Sequence, residues 1–189
     1  MSTLKVDTIQ GKTTAGTVAM PSGHVIQTVQ KIDKTDTTFN NSGSVASFVT
    51  CGSLSQSFTP KFSTSKVLLR ACLGHVATDT ADRFAYFKFS GGNTADGLGD
   101  ASGSRTRVLA FHYYQHGGDG TPVTFEYLDS PATTSAITYT VQIAPSYSSG
   151  ELGLNFYRPN NTNSAYIPVS ASTLTIMEMV LLLAAVLSY

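Results

Sequence analysis

Few residues in this chain carry the usual equipment of catalysis. There are four His, two Cys and twelve Asp+Glu among 189 residues. His112 and His116 are four apart, a spacing that puts both on one face of an extended strand. Gly117-Gly118 then turns the chain, and two imidazoles are only half of a tetrahedral zinc site. These histidines are read as ordinary hydrogen-bonded or exposed groups. Asn93, Asp96 and Asp100 offer oxygen ligands beside Gly97 and Gly99, but not in the order of a calcium-binding EF-hand loop. No GxxxxGK[ST] is present, and no GxGxxG lies between a strand and a helix, so nothing is built to cradle a phosphate. The serines number 22, yet no GxSxG elbow raises one of them as a nucleophile. Glu126, Glu151 and Glu178 are the only glutamates and form no paired-carboxylate motif. Cys51 and Cys72 read as reduced thiols packed in strands, with a single disulfide between them as the alternative. The expectation is a protein with no catalytic residues, no cofactor and no metal.

Binding chemistry is better supplied. The chain has nine Tyr and ten Phe but no Trp. Tyr113, Tyr114, Tyr147, Tyr157 and Tyr166 fall in or beside predicted loops and strand ends. A tyrosine among Asn and Ser can stack on a sugar and hydrogen-bond its hydroxyls. Tyr114, Tyr147, Tyr157 and Tyr166 are therefore the candidate receptor or glycan contacts. The competing reading gives them to the core and to contacts between subunits.

The elements that would position these residues are strands. His24–Ile32 is rich in β-branched residues and ends at the polar turn Asp33–Asp36. Ala46–Thr50 and Leu54–Phe58 are short candidates. Lys66–His75 alternates Val67, Leu69, Ala71 and Leu73 on one face, and Arg83–Phe89 does the same with Ala85, Phe87 and Phe89. A Gly/Asp/Ser loop, Ser90–Ser104, separates these from Arg105–Gln115. Val123, Phe125 and Tyr127 mark the next strand. Ile137, Tyr139, Val141 and Ile143 mark the one after it. Leu152, Leu154 and Phe156, the short Ala165–Val169, and Thr173–Val180 complete the series. About nine or ten short strands with regular turn signals predict an all-β fold. The expected architecture is an antiparallel β-sandwich or jelly-roll-like domain over residues 24–189, with an extended N-terminal arm over residues 1–23.

Composition narrows the function classes. Charged residues are 13% of the chain and the net charge is zero. Phosphate backbones are bound by clustered Lys and Arg, so a nucleic-acid role is excluded. A hydrophobic content of 41% is too high for a disordered chain. Low charge with abundant Ser and Thr suits a fixed place in an assembly. The first 20 residues lack the apolar centre of a secretion signal. The apolar run Met179–Leu187 is nine residues, where a spanning helix needs about twenty. That tail, residues 180–189, is read as an oligomer interface formed by Leu181, Leu182, Leu183, Val186 and Leu187. In the arm, Leu4, Val6 and Ile9 are the apolar anchors, and Leu4 and Val6 alternate about Lys5 as in a strand added to another protein's sheet.

Two end segments carry a resemblance. Ser2-Thr3-Leu4-Lys5-Val6-Asp7-Thr8-Ile9-Gln10, followed by a Thr/Gly stretch and Pro21-Ser22-Gly23-His24-Val25-Ile26-Gln27, resembles the start of structural proteins of marine tailed bacteriophages, notably cyanophages. Ser172-Thr173-Leu174-Thr175-Ile176-Met177-Glu178-Met179 resembles the last strand of the same β-rich proteins. Gly99–Arg107 and Ser130–Tyr139 fit the pattern between them. The resemblance implies a virion protein of the tail-fibre or appendage type, commonly a homotrimer, assembled in the host cytoplasm with other virion proteins. It transfers no catalytic residues. The apolar tail after Met179 departs from the pattern. A capsid decoration or head-fibre protein is the alternative within the virion. A carbohydrate-binding module is the alternative of another class.

Overall fold

The computed structural model of the chain describes residues 23–40, 46–147, 151–156 and 168–180. The arm anchors Leu4, Val6 and Ile9, the tail residues Leu181, Leu182, Leu183, Val186 and Leu187, and Tyr157 and Tyr166 lie outside these residues.

Ten strands form among the described residues: β1 Val25–Asp33, β2 Thr37–Asn40, β3 Val49–Phe58, β4 Lys66–Thr78, β5 Arg83–Ser90, β6 Ala110–Tyr114, β7 Gly120–Asp129, β8 Ile137–Pro145, β9 Glu151–Leu154 and β10 Ser172–Met179. The one helical element among the described residues is a short 3-10 turn, Thr94–Gly97. All strand pairings are antiparallel. One sheet has the order β1-β10-β4-β9-β2, with β7 on the other side of β4; the second has the order β3-β8-β5-β6.

Leaving out the short β2 and β9, eight strands pair first with last (β1·β10), second with seventh (β3·β8), third with sixth (β4·β7) and fourth with fifth (β5·β6). The chain is thus one long hairpin folded over on itself, which is a jelly roll. The β5–β6 connection is the tip of that hairpin. The expected all-β sandwich is the fold observed.

The core lies between the two inner faces. Period-two alternation aims Val67, Leu69, Ala71 and Leu73 of β4 at Ala85, Phe87 and Phe89 of β5, and all are buried. Phe125 of β7 packs against Phe87 and Phe89, with ring centroids 5.6 and 4.9 Å apart. Such tilted pairs contribute about 1 kcal/mol beyond the area they bury.

Three sequence expectations change. The two short strands at 46–58 are one strand, β3, with a bulge: Thr50 faces Gln142 and the pairing resumes only at Ser55. Gly52, with φ +57°, absorbs that bend. The strand expected at Arg105–Gln115 shrinks to Ala110–Tyr114. Residues before it turn back on their own loop instead, as Arg107 Nε donates to Gly99 O (2.6 Å) and Gly99 N to Val108 O (3.2 Å). Finally, β2 forms although no strand was expected there. It is four residues long, pairs with β9 and packs Phe39 against the core.

Candidate functional site

Register fixes which loops share an end. β1 begins opposite the end of β10 (Val25 with Met179), and β10 ends opposite the start of β4 (Met179 with Lys66). The β3–β4 loop, the β5–β6 loop and the β7–β8 loop meet at that same end, the base of the sandwich. The β4–β5 and β6–β7 loops lie at the opposite end, the apex. At the base Gly23 N donates to Val180 O (2.7 Å) and Val180 N to His24 O (3.0 Å). The arm and the apolar tail therefore join the domain side by side. Val25, Phe62 and Leu128, between 43% and 51% exposed, put apolar surface at the same end.

Two buried carboxylates hold the base loops. Glu178 sits on the inward face of β10 and is fully buried. Its oxygens accept the N–H groups of Lys61 (2.8 Å) and Phe62 (3.1 Å) and the side-chain amide of Gln27. Gln27 Nε2 also donates to Thr59 O (2.9 Å), so the β3–β4 loop is tied from both sides. Asp129, also fully buried, accepts from Asn93 N (3.1 Å), Ser130 N (2.8 Å) and the Tyr139 hydroxyl (2.6 Å). It fastens the β5–β6 and β7–β8 loops together. Burial and the Asp129 bond both raise the Tyr139 phenol well above its usual range.

The apex has its own pair. Asp33 accepts Thr35 N (2.8 Å) and Ser53 N (2.6 Å). Burial pushes its carboxyl up, but these N–H donors outweigh it and hold the pKa below the ordinary aspartate value. Asn155 is buried with its amide fully engaged: it donates to Asp33 O and Thr35 O and accepts from Ser172 Oγ (2.6 Å). Thr35, Thr37, Phe39 and Gly52 line an open groove beside Asp33.

No family model matches the chain, and no curated protein matches its sequence.

The sequence-selected tyrosines need correction. Tyr114 is 2% exposed and Tyr147 is 7% exposed, so neither ring presents a stacking face to a receptor or glycan. Tyr114 follows Tyr113 on β6 and so points into the core, edge-on to His112 at 4.6 Å. Burial raises its phenol pKa sharply. Tyr147 lies under the Arg83 guanidinium, 5.0 Å from ring centroid, and donates to Glu151 O (3.1 Å). One of the two considered histidines, His116, faces Asp119 at 3.2 Å. No group of three His, Cys, Asp or Glu able to hold a metal comes together among the described residues. Cys51 and Cys72 are both free, and burial raises the Cys51 thiol pKa. No helix among the described residues is long and apolar enough to cross a membrane.

What sequence reasoning missed is the structural use of the acids. Glu178 falls on the apolar face of its own strand, with Leu174 and Ile176. An acid at a core position was the available signal, because such a group must find buried donors.

Proposed function

We propose that this chain is a non-enzymatic bacteriophage virion protein, a homotrimeric tail fibre or appendage. Its arm docks it into the particle, through Leu4, Val6 and Ile9, and the jelly roll projects. The apolar tail contributes Leu181, Leu182, Leu183, Val186 and Leu187 to contacts between copies. One observation carries the reading: Gly23 and Val180 are paired at the base. Both segments assigned to docking and assembly are therefore fed from one end, and the apex loops are left at the other.

The chemistry of the acids is consistent with a structural role. Glu178, Asp129 and Asp33 spend their oxygens on backbone N–H groups and so hold loops. A surface with little charge and much Ser and Thr suits a particle exterior.

The test is deletion of residues 1–22. The expected product keeps the thermal midpoint and solution mass of the full chain but fails to join particles. Normal incorporation would overturn the docking claim. Counting copies per particle separates an appendage from a capsid decoration protein, which would be present in hundreds rather than tens.

A further inference from the structure

The outer face of the β3-β8-β5-β6 sheet is divided into an aromatic half and a polar half. Phe84 and Tyr86 of β5 point outward, opposite Tyr113 and Phe111 of β6 in the register. Phe84 is the hub. Its ring lies 5.0 Å from Tyr113, 5.8 Å from Phe111 and 6.3 Å from Tyr86, nearly parallel to the last at 16°. Phe111 is 62% exposed and Tyr113 is 44% exposed. These are large values for rings held in a sheet, and four aromatics contiguous on a surface usually mark a binding site.

The polar half is on β8 and β3. Gln142 is opposite Lys88, and Thr140 is opposite Ser90 and shares a 2.8 Å hydrogen bond with Ser55. Lys88 itself lies over the Phe48 ring, its Nζ 4.0 Å from the centroid. At the apex rim stands Asp82, whose Oδ1 accepts the Tyr113 hydroxyl at 2.5 Å. Asp82 adopts φ +57°, a left-handed turn conformation that aspartate takes up more readily than most residues.

We propose that Phe84, Tyr86, Phe111 and Tyr113, with the Asp82 carboxylate at their rim, bind a saccharide. Sugar rings alternate C–H faces with hydroxyl edges. The C–H faces stack on Phe111 and Tyr113, a hydroxyl bonds the Asp82 carboxylate beside Tyr113, and only further residues of an oligosaccharide extend along the face toward Gln142, which the register puts opposite Lys88. The charge on the face fits this occupant: one Lys and one Asp among neutral amides and hydroxyls suit an uncharged polyol. A second copy of the chain would have to bury those hydroxyls and amides against its own surface, a cost a sugar avoids by hydrogen-bonding them. Tyr113 and Asp82 lie toward the apex, opposite the paired chain ends. Presentation of this face to a host surface rests on the appendage reading. Sugar binding by the free protein does not.

The experiment is retention of the full chain on a printed array of oligosaccharides, followed by titration calorimetry with the retained ones. Phe111→Ala, Tyr113→Ala and Asp82→Asn are compared with the parent, and Leu128→Ala, on the other sheet, is the control. Urea midpoints and solution mass are measured for each. The expected result is retention of at least one glycan, weakened about tenfold or more by each of the three variants and unchanged by the control. Lack of retention above an unrelated β-sandwich overturns the proposal. So does binding that survives Phe111→Ala and Tyr113→Ala together. A change of solution mass in those variants also overturns it, and gives the face to contacts between copies. Particle incorporation of Phe111→Ala is scored separately: normal incorporation with array binding intact sinks the platform and leaves the docking reading standing, whereas lost incorporation with array binding intact sinks the platform and moves docking from the arm to this face.

Discussion

Glu178 is a buried acid on the apolar face of β10, and its worth is set by the donors it satisfies. Replacing it with Ala leaves Lys61 N and Phe62 N without their acceptor at a closed loop. Each orphaned donor costs about 1–3 kcal/mol, so Glu178→Ala is expected to lower unfolding free energy by roughly 3 kcal/mol. Urea denaturation measures it, and a loss under about 1 kcal/mol would show that water replaces the carboxylate there. Asp33 differs because its titration is visible. Its pKa in the folded protein lies below the reference value of 3.8. Its contribution is therefore complete above the unfolded pKa and fades as pH falls through the lowered folded value. Asp33→Asn should remove that part of the acid slope and reduce stability at neutral pH. An unchanged slope in a pH series of urea midpoints would contradict the assignment. At the alkaline end, Tyr139 and Tyr114 are held neutral by burial, so their stabilising effect is full below about pH 10 and lost above it. Their absorbance change on ionisation should coincide with unfolding rather than precede it.

At the scale of the element, the bulge in β3 is the most constrained point. A Cβ on Gly52 would stand 2.0 Å from Asp33 Oδ2 and 3.1 Å from Leu154 Cδ2, at φ +57°. Gly52→Ala is expected to cost about 2 kcal/mol or more from strain and displacement together. Because the clash is with Asp33, the penalty should shrink in an Asp33→Ala background. A double-mutant cycle reads that coupling, and strict additivity would refute the contact. The long strands were legible from alternation alone: β4, β5, β8 and β10 bury the residues whose period-two pattern marked them, apart from the half-buried Ile137 at the start of β8. The bulge was not, because Gly52 between two short β-like runs reads equally well as a turn. Nor was β2: Thr37, Thr38 and Phe39 favour a strand, but four residues are too few for alternation to mark one without its partner β9. The lost half of the Arg105–Gln115 strand failed for the opposite reason. Its pattern was suitable, but Arg107 and Gly99 turned the backbone into the loop.

For the whole molecule, the division into base and apex organises both proposals. Sequence reading placed Tyr113 beside loops and strand ends, and alternation put Phe84 and Tyr86 on the face opposite Ala85, Phe87 and Phe89, but it did not single out Phe84, Tyr86 and Phe111 as a binding surface. Only the pairing of β5 with β6 shows that their outward halves adjoin. The same register turned Tyr114 inward, one residue from Tyr113, since a single step along a strand reverses the face. The trimer reading makes its own prediction: light scattering of the purified chain should give about three times its 20.0 kDa mass. A monomer would return the tail to another role and weaken the appendage reading.

The nested pairing also governs the order of events during synthesis. β10 lies between β1 and β4, so the sheet has an empty slot until residues 172–179 have been made. A ribosome adding about 5–20 residues per second leaves β1 without a partner for several seconds. Contacts joining such distant parts of a chain are slow to form, on a scale of milliseconds to seconds even after release. A nascent chain stalled before Ser172 should therefore be digested readily by protease, and become resistant only once the last strand has cleared the tunnel.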